Sequence, residues 1–180
     1  MSFFLRIFFL AFIHFLSLPA QTQAQVLPPA WEGTWGGTVY IWSYNVNTDS
    51  FPMSLEITPL DSGWNFVINY QRDKNQPDLR EYELRSVDPS TYHFAIDEKN
   101  SIILDAYLND NCLYTVFSGM GSELQSRMCL SDGGLEYEIT SVLSEPTRIS
   151  GDQVMGSDTI PEIMSYDLYH VMKARLKKGE

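Results

Sequence analysis

Alternation of apolar and polar residues is the feature that most constrains the fold of this chain, and it recurs from Trp35 to Leu143. A repeat of two residues places apolar side chains on one face of a β-strand, whereas a helix repeats about every 3.6 residues. We therefore expect a mainly β protein. The apolar positions of the runs are Phe51, Met53, Leu55 and Ile57; Trp64, Phe66, Ile68 and Tyr70; Tyr82 and Leu84; Tyr92, Phe94 and Ile96; Ile102, Leu104, Ala106 and Leu108; Leu135, Tyr137 and Ile139.

Short turn-forming stretches separate these runs, among them residues 61–63, 119–121 and 132–134. The spacing predicts about nine strands in an antiparallel meander. Short connections favour strands that run up and down beside one another, and closing such a sheet removes its exposed edges. The predicted fold is an antiparallel up-and-down barrel of about 8–10 strands. A two-sheet sandwich is the alternative.

The end of the chain has a different pattern, which predicts one C-terminal helix at about residues 160–178. Pro161 suits the first turn of such a helix, and a basic end favours the helix dipole. The segment from Ser144 to Gly156 is expected to be a connecting loop. The basic end has a second interpretation, contact with an anionic membrane or an acidic partner. The apolar positions are Ile160, Met164, Leu168, Val171 and Met172, and the basic ones are Lys173, Arg175, Lys177 and Lys178.

The first 24 residues resemble a secretory signal peptide. A start with one positive charge, Arg6, precedes an apolar run over residues 7–18 and a small-residue stretch that ends at Ala24. The apolar run is too short to span a membrane as a helix, which needs about 20 residues. We expect cleavage after Ala24, one domain over residues 25–180, and a periplasmic or extracellular location. Cleavage removes one basic residue and moves the formal net charge from -11 to -12. Such a charge argues against nucleic acid as a partner.

Two cysteines, Cys112 and Cys129, are expected to form a disulfide in an oxidising compartment. If Met120 and Gly121 form a two-residue turn, strand pairing places the cysteines opposite each other. They then occupy a non-hydrogen-bonded pair with Cα atoms about 4.5 Å apart, which suits a disulfide. A metal site is the less favoured alternative, because no His or third Cys lies close in the sequence.

The segment Gly33-Thr34-Trp35 resembles the Gly-x-Trp motif that begins the first strand of lipocalins and related calycin barrels. The resemblance extends to the order of elements, a strand meander followed by a C-terminal helix. It implies that Trp35 closes one end of the barrel beneath a basic residue late in the chain, for which Arg148 is the candidate. Such a contact would be a cation–π interaction. A later Thr-Asp-Tyr-like signature of lipocalins is missing, and the resemblance implies no reaction.

No pattern in the sequence predicts a catalytic, metal or cofactor site. His93 is expected on the outer surface if Tyr92 and Phe94 point inwards, and in the lumen as a metal or haem ligand if the faces are reversed. His170 is expected to be a surface or packing residue. No Gly-x-Ser-x-Gly is present, and the carboxylates that could meet at one rim are more widely spaced than in calcium loops. Those carboxylates are Asp105, Asp110, Asp132, Glu136 and Glu138.

Aromatic residues give the best indication of a binding site. Tyr40, Trp42 and Tyr44 share one face of the first strand, while Trp35, Val39 and Ile41 share the other. The extra aromatic face needs a partner, which could be the C-terminal helix, an apolar ligand or another protein. Candidate ligand-binding residues are Tyr40, Trp42, Tyr44, Trp64, Phe66, Tyr92 and Phe94.

Three functions follow as hypotheses. The favoured one is a non-catalytic barrel that holds a small apolar or amphipathic molecule in its lumen. The second is an interaction or inhibitor module with a filled barrel. The third is an enzyme, such as a hydrolase or isomerase, which would need a lumen carboxylate with a raised pKa.

Overall fold

The computed structural model describes residues 27–73 and 75–179. Ten of its strands form one closed barrel in the order β1-β12-β9-β8-β7-β6-β5-β4-β3-β2, and β10 and β11 form a separate two-stranded sheet. Every neighbouring pair is antiparallel. The strands are β1 Gly33–Ser43, β2 Val46–Leu60, β3 Gly63–Asp73, β4 Gln76–Asp88, β5 His93–Asp97, β6 Ile103–Asn109, β7 Cys112–Gly119, β8 Ser122–Ser131, β9 Gly134–Ser150, β10 Gln153–Met155, β11 Asp158–Ile160 and β12 Ile163–Lys178.

The alternating runs form the barrel wall as the sequence predicts, and their apolar residues point inwards except Tyr92 and Ile102, which precede β5 and β6 and are 42% and 47% exposed. The inward positions of β2 and β3 are buried without interruption from Phe51 to Ile57 and from Trp64 to Tyr70. The closed ten-stranded barrel confirms the predicted mainly β, antiparallel meander and replaces the sandwich alternative. The predicted signal peptide and its cleavage after Ala24 lie outside the described residues and stay predictions.

The predicted C-terminal helix is wrong. Residues Ile163–Lys178 form β12, which lies between β1 and β9 and closes the barrel. The helices of the described residues are two three-residue 3₁₀ turns, Pro29–Trp31 and Pro89–Thr91, and neither is long and apolar enough to cross a membrane. The helix prediction failed because the same residues also contain the alternating pattern of a strand. Ala174 and Leu176 are buried between the exposed Lys173, Arg175 and Lys177, which is the alternation of a strand.

The expected loop from Ser144 to Gly156 is also largely strand. β9 continues to Ser150, and β10 follows at Gln153–Met155. β12 pairs along the length of β9, from Leu176 opposite Leu135, and in this extension from Tyr166 opposite Pro146 to Ile163 opposite Ser150. Residues 144–150 therefore form a strand because they pair with β12, although their own sequence shows no strand pattern.

The Cys112–Cys129 disulfide confirms its prediction. Gly119 pairs with Ser122 and Cys112 pairs with Cys129, so the register is the one expected from a turn at Met120 and Gly121. The two Cα atoms lie 4.1 Å apart. The bond lies on the outer face, because the neighbouring pair Leu113 and Met128 points into the core.

Residues 27–32 close one end of the barrel, which we call the lower end. Leu27 and Trp31 are 1% and 0% exposed. The indole nitrogen of Trp35 donates a hydrogen bond to the Trp31 carbonyl oxygen at 2.8 Å, and that of Trp64 donates to Glu32 Oε1 at 3.3 Å. The segment before the first strand is therefore part of the core.

The cation over the Trp35 ring is Lys178 rather than the expected Arg148. Lys178 Nζ lies 5.2 Å from the ring centroid and donates a hydrogen bond to the Ala30 carbonyl oxygen at 3.3 Å. Arg148 lies far along β9, opposite Ser165, and is exposed. β12 pairs with β1, and this pairing places Lys178 directly opposite Trp35.

We expect Lys178→Met to lower the free energy of unfolding by about 1 kcal/mol, since it removes the cation–π contact and one hydrogen bond while keeping the aliphatic stem. Arg148→Met is the matched control and should change stability by less than about 0.5 kcal/mol, as is usual for an exposed side chain. Urea denaturation followed by tryptophan fluorescence measures both. Equal effects of the two substitutions would contradict the assignment of Lys178.

Candidate binding site in the upper lumen

The interior of the barrel changes character along its axis. Towards the lower end, inward side chains such as Leu55, Leu84 and Leu135 are 0% exposed. Towards the opposite, upper end, a ring of inward side chains is only half-buried, although the strand register places it on the core face. We call the space inside this ring the upper lumen. The ring is formed by Ile41, Tyr82, Leu104, Phe117, Leu124, Ile139 and Met172.

Two tyrosines form the floor of the upper lumen. The hydroxyl groups of Tyr70 on β3 and Tyr137 on β9 are hydrogen-bonded at 2.7 Å. β3 and β9 lie on different sides of the barrel, with β12, β1 and β2 between them one way and β4 to β8 the other. The bond therefore crosses the interior of the barrel, between the half-buried side chains of the upper ring and the buried side chains towards the lower end. Only one hydroxyl donates to the other, so the pair keeps one O–H group for a further acceptor.

The phenols of this pair are held in the neutral form. Burial raises the pKa of Tyr70 to about 12, and it also raises the pKa of Tyr137 well above its ordinary value. A phenolate here would lose its hydration in an apolar surrounding, which disfavours the charged form. At neutral pH the floor thus offers hydrogen bonds without a charge.

Two arginines stand at the mouth of the upper lumen. Arg80 lies opposite Ile68 and Asp78 lies opposite Tyr70, so both side chains face the interior. The Arg80 guanidinium donates two hydrogen bonds to Asp78, at 3.1 and 3.0 Å, and lies 5.5 Å from the centroid of the Tyr70 ring. Arg72 forms a second ion pair, with Asp49.

The ion pair fixes the charges at this mouth. The hydrogen bonds from Arg80 lower the pKa of Asp78, and the same hydrogen bonds raise the pKa of Arg80. Both side chains are about half exposed, at 48% and 50%, so water screens the attraction between them. Arg80 therefore stays charged at ordinary pH.

A pair of hydroxyl groups completes the wall. Thr115 on β7 and Ser126 on β8 are hydrogen-bonded to each other at 2.7 Å on the inner face. The upper lumen thus combines an apolar wall, a hydroxyl floor and a mouth that carries two arginine–aspartate ion pairs. This set suits an amphipathic molecule, and its two carboxylates, Asp49 and Asp78, are each ion-paired with an arginine.

None of the seven residues predicted to bind a ligand lies in the upper lumen. Trp64, Phe66 and Phe94 are in the packed lower interior at 6%, 3% and 1% exposure, and the Trp64 and Phe94 rings meet edge to face at 6.3 Å. The other four lie outside the barrel. They are Tyr40, Trp42, Tyr44 and Tyr92, at 47%, 39%, 77% and 42% exposure.

One histidine lies on the outer wall and the other at the upper rim, where the strand register places His170 on the inner face, opposite Ser141 and on the same side as Met172. His93 is on the outer face of β5, where its Nε2 atom lies 2.7 Å from Asp105 and its ring stacks on Tyr107 at 4.7 Å. His170 is half-buried near the upper rim, with its ring against Tyr169. Residues 27–73 and 75–179 contain no group of three or more His, Cys, Asp or Glu side chains that could hold a metal ion.

Polar residues at inward strand positions, rather than aromatic residues, indicate the upper lumen in the sequence. The inward positions of β3 run from Tyr70 to Arg72, and those of β4 run from Tyr82 through Arg80 to Asp78. Polar residues at inward positions on two neighbouring strands, at the same end, indicate that water reaches that end of the barrel. Charged groups are otherwise excluded from a packed core.

The outer wall contains a shallow depression of about 420 Å³ between β1, β12, β9 and β8. Ion pairs cross its floor, with Lys173 Nζ and Arg127 Nη2 at 3.4 and 3.5 Å from Glu138. Tyr40 and Arg175 border it. Its charged groups already have partners, so it is a weaker candidate for a small ligand than the upper lumen.

Comparison with models of protein families and with curated proteins gives no match. The closed ten-stranded antiparallel barrel is compatible with a lipocalin-like architecture. Membership of that superfamily stays a hypothesis based on Gly33-Thr34-Trp35 and the strand meander.

The tyrosine pair predicts a loss of stability at alkaline pH. A folded-state pKa raised above the ordinary value of 10.0 contributes stability that is complete below pH 10 and is lost as pH rises towards the folded value of about 12. A shift of this size corresponds to about 2–3 kcal/mol for Tyr70. We expect a double variant, Tyr70→Phe with Tyr137→Phe, to lose most of this dependence in urea unfolding measured from pH 8 to pH 12.

Tyr114→Phe is the matched control, because Tyr114 lies on the outer face of β7 and is 38% exposed. It should keep the full pH dependence. If the double variant loses stability with pH as steeply as the unaltered protein, the phenols of the pair ionise normally and do not form a buried floor.

Proposed function

We propose that this protein is an exported, non-catalytic barrel that binds a small amphipathic molecule in the upper lumen. The observation that carries this proposal is the half-burial of the inward apolar ring above a closed floor. Apolar side chains inside a barrel gain about 25 cal/mol for each Å² that a ligand removes from water. A barrel of about this size can be filled by its own side chains or hold one small ligand.

The amphipathic character follows from the two ends of the site. Leu104, Ile139 and Met172 offer apolar contact along the wall. Arg80 and Arg72 at the mouth are donors that suit a polar group with acceptor oxygens. The ligand would therefore place its apolar part against the wall and its polar group near the arginines.

A non-catalytic role is supported by the two carboxylates at the mouth of the lumen, Asp49 and Asp78, because each is ion-paired with an arginine. A general base in the lumen would need a pKa raised towards neutral pH, whereas hydrogen bonds from Arg80 lower the pKa of Asp78. The tyrosines are likewise neutral at ordinary pH.

Export is supported by two independent features. The first 24 residues have the charge, apolar run and small-residue end of a signal peptide. The Cys112–Cys129 disulfide suits an oxidising compartment such as the periplasm or the cell exterior.

Binding of an anionic amphipathic dye, 1-anilinonaphthalene-8-sulfonate, tests the site. We expect Leu104→Trp to weaken dye binding at least about tenfold, because the larger ring occupies the upper lumen. Ile103→Trp is the matched control, since Ile103 is the preceding residue of β6, points outwards and is 64% exposed. It should leave binding unchanged. Equal affinities of the two variants, or no binding by the unaltered protein, would count against a lumen site.

Native mass spectrometry of the protein from its own host gives a second test. A bound molecule that is released on denaturation, and that is absent from the Leu104→Trp protein, would support the proposal and give the ligand mass. A host protein that carries no adduct and binds no dye would favour an interaction module instead.

A further inference from the structure

Part of the β-sheet extends beyond the barrel as a two-stranded arm. β8 accompanies β9 only as far as Leu143, and β1 accompanies β12 only as far as Val171. Beyond these points β9 and β12 pair with each other alone, for example at Ile149 and Met164, and the hairpin of β10 and β11 forms the tip. We call residues 144–170 the arm.

One side of the arm continues the outer face of the barrel and is apolar. Val142 faces outwards with its partner Glu123 on β8, and Leu168 pairs with Val142 from the other side. The Tyr166 hydroxyl contacts the Met164 sulfur at 3.8 Å, and Met164 pairs with Ile149, so these three side chains share a side. We call this surface the apolar strip. It is formed by Trp42, Val171, Leu168, Tyr166, Met164 and Ile149.

The strip is large for an isolated surface. Trp42, Met164, Tyr166, Leu168 and Ile149 are 39%, 46%, 45%, 49% and 58% exposed. Together they present on the order of 400–500 Å² of apolar area, a size that marks an interaction site on monomeric proteins.

Opposite charges lie at the two ends of the strip. The arm tip carries Asp152, Asp158 and Glu162, and β12 below the strip carries Lys173, Arg175 and Lys177. Lys173 and Arg175 also lie 3.4 and 4.0 Å from Glu138 and Glu136 of β9, in exposed ion pairs that water screens. Glu162 is six residues before Leu168 and Arg175 is seven residues after it. At about 3.3 Å per residue, the acidic and basic ends lie roughly 20 Å to either side of the centre of the strip.

We propose that the apolar strip docks against the same strip of a second copy of this chain, in an antiparallel arrangement about a two-fold axis near Leu168. This arrangement brings the acidic tip of each copy over the basic end of the other, and the equal spacing satisfies both contacts at once. A parallel arrangement would place like charges together. The inference goes beyond the proposed function and does not depend on a lumen ligand.

The arm itself argues against an anionic membrane as the occupant. It carries five carboxylates and one cation, Arg148, so an anionic surface would repel it. The carboxylates are Glu145, Asp152, Asp158, Glu162 and Asp167. Two strips bury on the order of 1,000 Å² in total, which suits a reversible dimer at micromolar concentrations.

Sedimentation velocity over a range of concentrations tests the proposal with charge reversals in the full exported protein. We expect a reversible dimer that weakens with added salt. Glu162→Lys and Arg175→Glu should each weaken it about tenfold, and the double variant should restore most of the affinity because the pairs are re-formed with exchanged signs. Leu168→Ser should weaken the dimer without changing the barrel's near-ultraviolet circular dichroism.

Glu81→Lys and Lys99→Glu are matched controls, since both residues are exposed and lie on the β4 wall and in the β5–β6 turn, away from the arm. They should leave the dimer unchanged. A protein that stays monomeric at every concentration, a dimer that none of the strip variants affects, or single variants that the double variant does not rescue would each overturn the proposal. Sedimentation of the monomer with phosphatidylserine vesicles would assign the strip to a membrane and overturn it as well.

Discussion

Pairing of β12 with both β1 and β9 is the interaction on which the rest of the structure depends. Without it, β1 and β9 would each leave a row of unpaired backbone groups at a sheet edge, a template for aggregation. The close approach requires Gly37, where a Cβ atom would lie 2.5 Å from the Arg175 carbonyl oxygen. The same pairing brings Lys178 to the Trp35 ring. β12 therefore closes the barrel wall and also contacts residues 27–32, the segment that closes the lower end, through Lys178.

Closure produces an interior with two different ends. Residues 27–32 and the large rings of Trp31, Trp35 and Trp64 fill the lower end. The upper end has no comparable plug among the described residues, and its inward positions include Arg72 and Arg80, which need water or an ion pair. The Tyr70–Tyr137 hydrogen bond marks the boundary between the two regions. The candidate site thus lies where the tightly packed apolar side chains of the lower interior end.

The sequence predicted the features that depend on short-range pattern. The alternating runs and the hairpin register that joins Cys112 to Cys129 are local, and both are confirmed. Residues 160–178 contain a helical spacing as well as an alternation, and the choice between them depends on β1 and β9, which are distant in the sequence. The ligand-binding residues were chosen for aromatic character. Depth along the barrel decides which aromatic side chains reach the lumen, and closure sets that depth.

The outer strip and the upper lumen use opposite faces of the same strand. Met172 points into the lumen and pairs with Ile139, while the adjacent Val171 points outwards and pairs with Trp42. The register shifts between Leu168 and His170, so the arm can turn relative to the barrel wall without displacing Met172. Because successive residues of a strand point to opposite faces, a surface contact through Val171 and Leu168 leaves the lumen wall intact. Ligand binding and self-association are therefore separable by single substitutions on β12.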